Sequence, residues 1–177
     1  MNKFYAALIV LFTAVLGFNF GFTTEAQNQQ TTIENGNFTS PNFVISQFQT
    51  AGGTANDEFI ELHNTSSSSV DLNGYRLVYR SSAGVNDVAF AQWTTSTIVP
   101  AGGYYLITST NYDGAVPGDI SYNPTTCTCS MSATSGGLAI RFGAVNSGVV
   151  IDSVGWGAAT NIFVETATTG APPANAG

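Results

Sequence analysis

The sequence has almost no cations. Lysine and arginine number four in 177 residues, against 11 acidic residues, so the formal charge is −7. Those four are Lys3, Arg76, Arg80 and Arg141. Binding along a nucleic-acid backbone draws its affinity from clustered Lys and Arg that release counterions, so nucleic acid is excluded as a partner of the domain. Histidine occurs once, at His63, and cysteine twice, at Cys127 and Cys129. There is no G-x-S-x-G nucleophile elbow, and a lone imidazole without an activated serine beside it makes no triad. The C-x-C spacing lacks the second half of a zinc site. Charged residues make up only 8% of the chain while 44% are hydrophobic and 12% aromatic. That is too apolar for a disordered acidic tail and enough for one packed domain.

A long hydrophobic run occurs only at the N-terminus. Met1-Asn2-Lys3 is a short positive region, Ala6 to Phe18 is apolar apart from Thr13, and Thr24-Glu25-Ala26 is a small-x-small site before Gln27. This pattern predicts a secretory signal peptide over residues 1–26, removed on export, with a secreted, extracellular or cell-surface product and no membrane segment afterwards. The alternative is a retained anchor from Phe4 to Phe22, but no polybasic stop follows it and a polar stretch begins at once. Residues 27–42, mostly Gln, Thr, Asn and Gly, read as a flexible lead-in.

Helical periodicity is missing too. From Phe43 onward the apolar residues recur with a period of two, in short Val, Ile, Tyr and Phe segments bounded by Gly, Asn, Ser or Pro. Strands are predicted at Phe43 to Phe48, Phe59 to His63, Tyr75 to Arg80, Tyr104 to Thr108, Leu138 to Phe142 and Val149 to Val154. Weaker ones lie around Phe90 to Thr94 and at Ile98-Val99, the latter stopped by Pro100 and Gly102-Gly103. In Tyr75 to Arg80, one face carries Tyr75, Leu77 and Tyr79 and the other Arg76, Val78 and Arg80. That alternation suits a sheet with one face buried and one wet, and Leu138, Ile140 and Phe142 against Arg141 repeat it. The fold class expected is all-β, an immunoglobulin-like antiparallel β-sandwich of about seven to nine strands over residues 43–165.

Val44-Ile45-Ser46-Gln47-Phe48, then Asn56-Asp57-Glu58-Phe59-Ile60-Glu61-Leu62-His63-Asn64, then Val70-Asp71-Leu72-Asn73-Gly74-Tyr75-Arg76-Leu77 follow one another in order. Together they resemble the opening of the lamin-tail domain family. Ile98 to Ile107 and Ser132 to Ile140 look like its next long strands. Val150 to Gly157, followed by Glu165 and the Ala-Pro-rich Gly170 to Ala176, resembles its closing segment. The resemblance implies an immunoglobulin-like recognition or structural module with no active site of its own. Bacterial relatives are secreted and often stand beside extracellular nucleases, phosphatase-like hydrolases or cell-surface modules. On physical grounds Ile60 and Leu62 share one sheet face, Phe59, Glu61 and His63 the other, and Asp71 and Asn73 suit a turn.

In that family the Ala-Pro-rich stretch is normally followed by a final strand carrying an Arg or Lys, whereas here the sequence stops at Gly177. Residues 166–177 therefore read as an interrupted continuation, and the sandwich is expected to lack its final strand. A sheet edge left open in this way invites strand exchange with a second copy.

The remaining candidates for chemistry are few. Asp57, Glu58 and Glu61 are close in sequence, but alternation sets Glu58 and Glu61 on opposite sides, so no paired-carboxylate hydrolase site is expected. Asn56, Asp57 and Glu58 in one loop and Asn111, Asp113 and Asp119 in another are hard oxygen ligands, and Asp57, Glu58, Asp113 and Asp119 are weak calcium candidates. No EF-hand or RTX spacing accompanies them, and otherwise no cofactor and no catalytic residue is expected. Cys127 and Cys129 in an exported protein favour a disulfide across a tight ring, with an intermolecular or reducible bond as the alternative. Asn37-Phe38-Thr39 and Asn64-Thr65-Ser66 fit the glycosylation sequon. Trp93, Tyr104, Tyr105 and Trp156 make a carbohydrate platform if they share an exposed face, though sandwich cores absorb most such aromatics. The loop from Asn111 to Ala133, the longest stretch without a clear strand, is the expected partner-facing surface. The function expected is a secreted, non-catalytic module for adhesion or docking to an extracellular or cell-surface protein or glycan. The alternatives are an accessory domain of a hydrolase whose catalytic part lies beyond Gly177, and a strand-exchanging fibre subunit.

Overall fold

In the computed structural model the described residues are 42–170. The signal peptide 1–26, the lead-in up to residue 41 with its sequon at Asn37, and the tail from residue 171 lie outside them. The first alternating segments form β1 (Phe43–Gln49) and β2 (Phe59–Asn64). They are followed by the short β3 (Val70–Asp71), the long β4 (Tyr75–Ser81) and β5 (Val88–Gln92). Then come β6 (Ile98–Val99), β7 (Tyr104–Ser109), β8 (Ile120–Tyr122) and a single helical turn α1 (Pro124–Cys127). β9 (Gly136–Phe142) and β10 (Val149–Trp156) complete the strands.

Two four-stranded sheets result, in the orders β1-β2-β7-β8 and β10-β9-β4-β5, with β3 and β6 as a separate pair. The fold is an immunoglobulin-like β-sandwich. All pairs of strands are antiparallel except β7 and β8, which run parallel from Ile107 beside Ile120 to Ser109 beside Tyr122. The purely antiparallel expectation is corrected at this one edge. The chain leaves β7 through the Asn111 loop and returns to add β8 in the same direction, a connection too long for a hairpin.

Alternation explains the core. Ile60 and Leu62 of β2, Ile107 of β7, Leu77 of β4, and Leu138 and Ile140 of β9 meet between the sheets with no exposure. Trp156, fully buried, packs against Phe48 and Tyr79 with ring centroids 4.9 and 6.0 Å away, and its indole N–H donates to the Ser132 carbonyl at 3.0 Å. Asp71 accepts from the backbone N–H groups of Asn73 and Thr97 and from the Ser96 hydroxyl, and these bonds hold its carboxyl below the usual range. It thereby fixes the turn into β4. At the opposite seam β1 and β10 meet, and the Asp152 carboxylate accepts from the Ile45 N–H at 2.7 Å. Asp152 follows a register shift between Val150 and Asp152. Such an irregularity re-aims a side chain, here toward the neighbouring edge strand.

The face of β4 read as wet is sealed. Arg80 and Arg141 are 5% and 3% exposed and Val78 is fully buried. After Gly157, whose φ of 61° favours glycine and where a Cβ would run into the Thr134 carbonyl oxygen, the chain folds back across the outside of the β10-β9-β4-β5 sheet. There Phe163 is fully buried against Val78, Ala139 and Val150. Gly137 of β9 makes this approach feasible, because a Cβ there would lie 2.9 Å from that of Phe163 and 2.7 Å from Asn161 Oδ1. Asn161 ties the segment down, donating from Nδ2 to the Ser81 carbonyl at 3.0 Å and accepting from the Phe163 N–H at 2.9 Å. Further on, Thr169 bonds Gly155 and Gly157 and forms a parallel bridge to Trp156 at the outer edge of β10.

Candidate interaction surface

The acidic motif before β2 turns inward. Asp57 and Glu58 are 3% and 0% exposed. Asp57 accepts from the Gly53 N–H at 2.9 Å and the Asp113 N–H at 3.3 Å, closing the loop before β2 onto the loop after β7. Glu58 receives the Tyr122 hydroxyl at 2.6 Å, the Met131 N–H at 2.6 Å and the Ser130 hydroxyl at 3.0 Å. Burial pushes its carboxyl upward against the pull of these three donors. It also pushes the Tyr122 phenol far up, helped by the Glu58 charge. Asp113 and Asp119 are exposed, and Asp119 accepts from the Leu106 N–H at 2.7 Å. The four calcium candidates thus serve different roles. Asp57 and Glu58 are engaged with the chain's own donors, and among the described residues no three His, Cys, Asp or Glu side chains are placed to hold a metal ion.

Glu61, on the other side of β2 from Glu58, accepts from the Ser46 hydroxyl at 2.6 Å. The carboxylates do not converge. Asn64 is fully buried, and its amide donates to the carbonyls of Ser68, Val99 and Pro100, so in the folded domain this sequon nitrogen is already engaged. The four candidate aromatics do not share an exposed face, because the core absorbs most of them. Trp93 and Trp156 are 4% and 0% exposed, and the Trp93 indole donates to the Tyr105 hydroxyl at 3.3 Å. Of the four aromatics only Tyr104 stands in solvent, at 58% exposure.

The loop from Asn111 to Ala133 carries more order than its composition suggested, since it contains β8 and α1. Its first part, through Pro117, stays largely exposed, with Tyr112 folded edge-on to Phe59 at 5.6 Å. Cys127 and Cys129 are joined in a disulfide with Cα atoms 5.1 Å apart.

The two outer sheet faces differ. On the sealed one, Arg80 and Arg141 both lie over the Phe163 ring, at 5.0 and 5.3 Å, and share the buried Asp87 carboxylate at 2.7 Å each. Arg141 also donates to the Gly148 carbonyl. Sequence reading missed this cluster. The available signal was Val78 between two arginines, together with the apolar triplet Ile162-Phe163-Val164 following the last strand.

On the β1-β2-β7-β8 sheet, the pairings of Phe59 with Thr108, Glu61 with Leu106 and His63 with Tyr104 set these side chains on the outer face. Val44 stands beside His63 and Gln47 beside Glu61. The His63 ring stacks on Tyr104 with centroids 4.2 Å apart and planes within 8°. Val44, Phe59, His63 and Leu106 are half-buried, and no apolar member of the face belongs to either buried cluster. A face with apolar area, one imidazole, amides and one carboxylate can present stacking and hydrogen-bonding groups together; the nucleophile, base and oxyanion donors of a hydrolase are not assembled on it.

The match to known families agrees with this architecture. Residues 37–158 match the model of the Lamin Tail Domain. The chain belongs to the Lamin Tail Domain family. The matched span starts inside the stretch read as lead-in and ends just before the segment that seals the second sheet. No curated protein matches the chain. Lamin Tail Domains are non-catalytic immunoglobulin-like folds, and the described residues of this one offer an interaction module with one sealed sheet face and one open face.

Proposed function

We propose that this Lamin Tail Domain is a secreted, non-catalytic docking module that engages an extracellular or cell-surface protein or glycan. It does so through the outer face of β1-β2-β7-β8 and the adjoining loop after Ser109. The observation that carries this reading is the asymmetry of the sandwich. One outer face is closed by Phe163 and the buried Arg80-Asp87-Arg141 cluster, while the other presents the Tyr104-His63 stack with Leu106, Phe59 and Val44. Large aromatics beside polar groups are the residues from which binding energy is most readily drawn. Secretion rests on the N-terminal pattern alone, and N-terminal sequencing of the exported protein should begin at Gln27.

The test is binding of the purified, labelled chain to the surface of the cells that produce it. Saturable binding that Tyr104→Ala weakens at least about tenfold, about 1.4 kcal/mol, supports the reading. Binding that is absent, or unaffected by Tyr104→Ala and His63→Ala together, overturns it. For strand exchange with a second copy the discriminating result is concentration-dependent oligomers of the isolated chain. Thr169 and Glu165 occupy part of the β10 edge such a partner would need, which favours docking through a face over docking through that edge.

A further inference from the structure

We propose that the Cys127–Cys129 bridge is a thiol-exchange site: an incoming thiol attacks Cys127 and forms a mixed disulfide there, while the domain stays folded. Three observations point the same way.

The first is ring size. The cysteines are two residues apart, so the bridge closes a loop of only three residues. A crosslink stabilises chiefly by removing loop-closure freedom from the unfolded chain, and that gain is smallest for the shortest loops. A fold that used this bond as a staple would gain little from it.

The second is that the surrounding loop has other anchors. The Asn123 side chain accepts from the N–H groups of Thr125 and Thr126 at 3.0 and 3.3 Å, and the Cys129 N–H reaches the Pro124 carbonyl at 3.3 Å. Immediately beyond, Ser130 and Met131 are fastened to the buried Glu58. Opening the sulfur bond leaves these contacts in place. Between the cysteines, Thr128 is the left-handed C-cap of α1 at φ 54°, and its own N–H reaches the Pro124 carbonyl, a helix-end anchor that does not depend on the sulfur bond.

The third is asymmetry. Cys127 is exposed, whereas Cys129 is 1% exposed and part of the core cluster. Only one sulfur of the pair is open to attack. The exchange balances without an external oxidant. A thiolate forms a bond to Cys127 Sγ, the Cys127–Cys129 bond breaks with its electron pair on Cys129 Sγ, and that sulfur takes up a proton. The buried Cys129 thiolate can return to Cys127 and expel the thiol, restoring the bridge, or a second thiol can attack the captured one and leave both cysteines reduced.

The probe is glutathione. Folded protein equilibrated in buffers of varied reduced-to-oxidised glutathione ratio, acid-quenched and mapped by peptide mass spectrometry should show an adduct on Cys127 and none on Cys129. The near-UV circular dichroism should keep its folded signature. In single variants, Cys127 of C129S should react with oxidised glutathione at least about a hundredfold faster than Cys129 of C127S. An adduct on Cys129, equal rates, or a wild-type bridge that opens only when the near-UV signal is lost would overturn the proposal. The wild-type mapping stands even if a single variant does not fold. It is also independent of the docking assay, since an intact bridge leaves the Tyr104 result unchanged.

Discussion

Glu58 shows how much of this protein is decided one residue at a time. A carboxylate with no exposure persists because a hydroxyl, a phenol and a backbone N–H converge on it, and its removal leaves those donors unpaired in the core. Glu58→Ala is predicted to cost about 3 kcal/mol, read as a lower denaturant midpoint, whereas Asp113→Ala, at an exposed site, should change stability by less than about 0.5 kcal/mol. In the sequence Glu58 reads as a loop oxygen ligand and calcium candidate, because the partners that bury it lie 64 and 73 residues downstream. Asp71 was legible only through Asn73, the donor in its own turn; Ser96 and Thr97, just before β6, lie 25 and 26 residues downstream.

Asp152 makes the second residue-scale prediction. Burial, with Glu165 nearby, raises its carboxyl from 3.8 to about 6. The folded chain therefore holds this proton more tightly than the unfolded one. The stability this adds is fully present below about 3.8 and is lost as the pH rises through about 6. Glu58 and Glu165 shift in the same direction, so the wild-type slope between pH 4 and 7 is shared. Asp152→Asn keeps an oxygen for the Ile45 N–H and should flatten its part of that slope, raising stability at pH 7 by about 1–2 kcal/mol in urea titrations.

At the scale of elements, period-two alternation exposed the six main strands and the face each turns to the core. It failed on what covers the other face. Val78, Ala139 and Val150 looked like ordinary outward residues because the element that buries them, the segment after Gly157, has neither helical nor strand periodicity. The parallel β8 was hidden for a related reason: three residues are too few to alternate. Phe163→Ala is predicted to destabilise the domain by about 3 kcal/mol and to speed amide exchange selectively in the segment around Asn161. Asp87→Ala leaves two buried guanidinium groups without their carboxylate and should cost at least as much, about 3–5 kcal/mol in equilibrium unfolding.

For the whole molecule, the sandwich class followed from strand length and spacing, and the family from the order of its motifs. The surface did not follow, because which outer face stays open depends on where the closing segment lands. The same limit applied to the acids of the two loops. With Asp57 and Glu58 engaged by the chain's own donors, millimolar calcium is predicted to leave the thermal midpoint unchanged, which differential scanning calorimetry with and without a chelator checks. The most direct test of the docking account is site-specific photo-crosslinking at the surface of the producing cells. One probe replaces Gln47, exposed on the open face beside Glu61, and another replaces Ile162, exposed on the closing segment. A discrete extracellular crosslink from position 47 and none from 162 is the predicted result; the reverse pattern, or equal labelling from both, would contradict it.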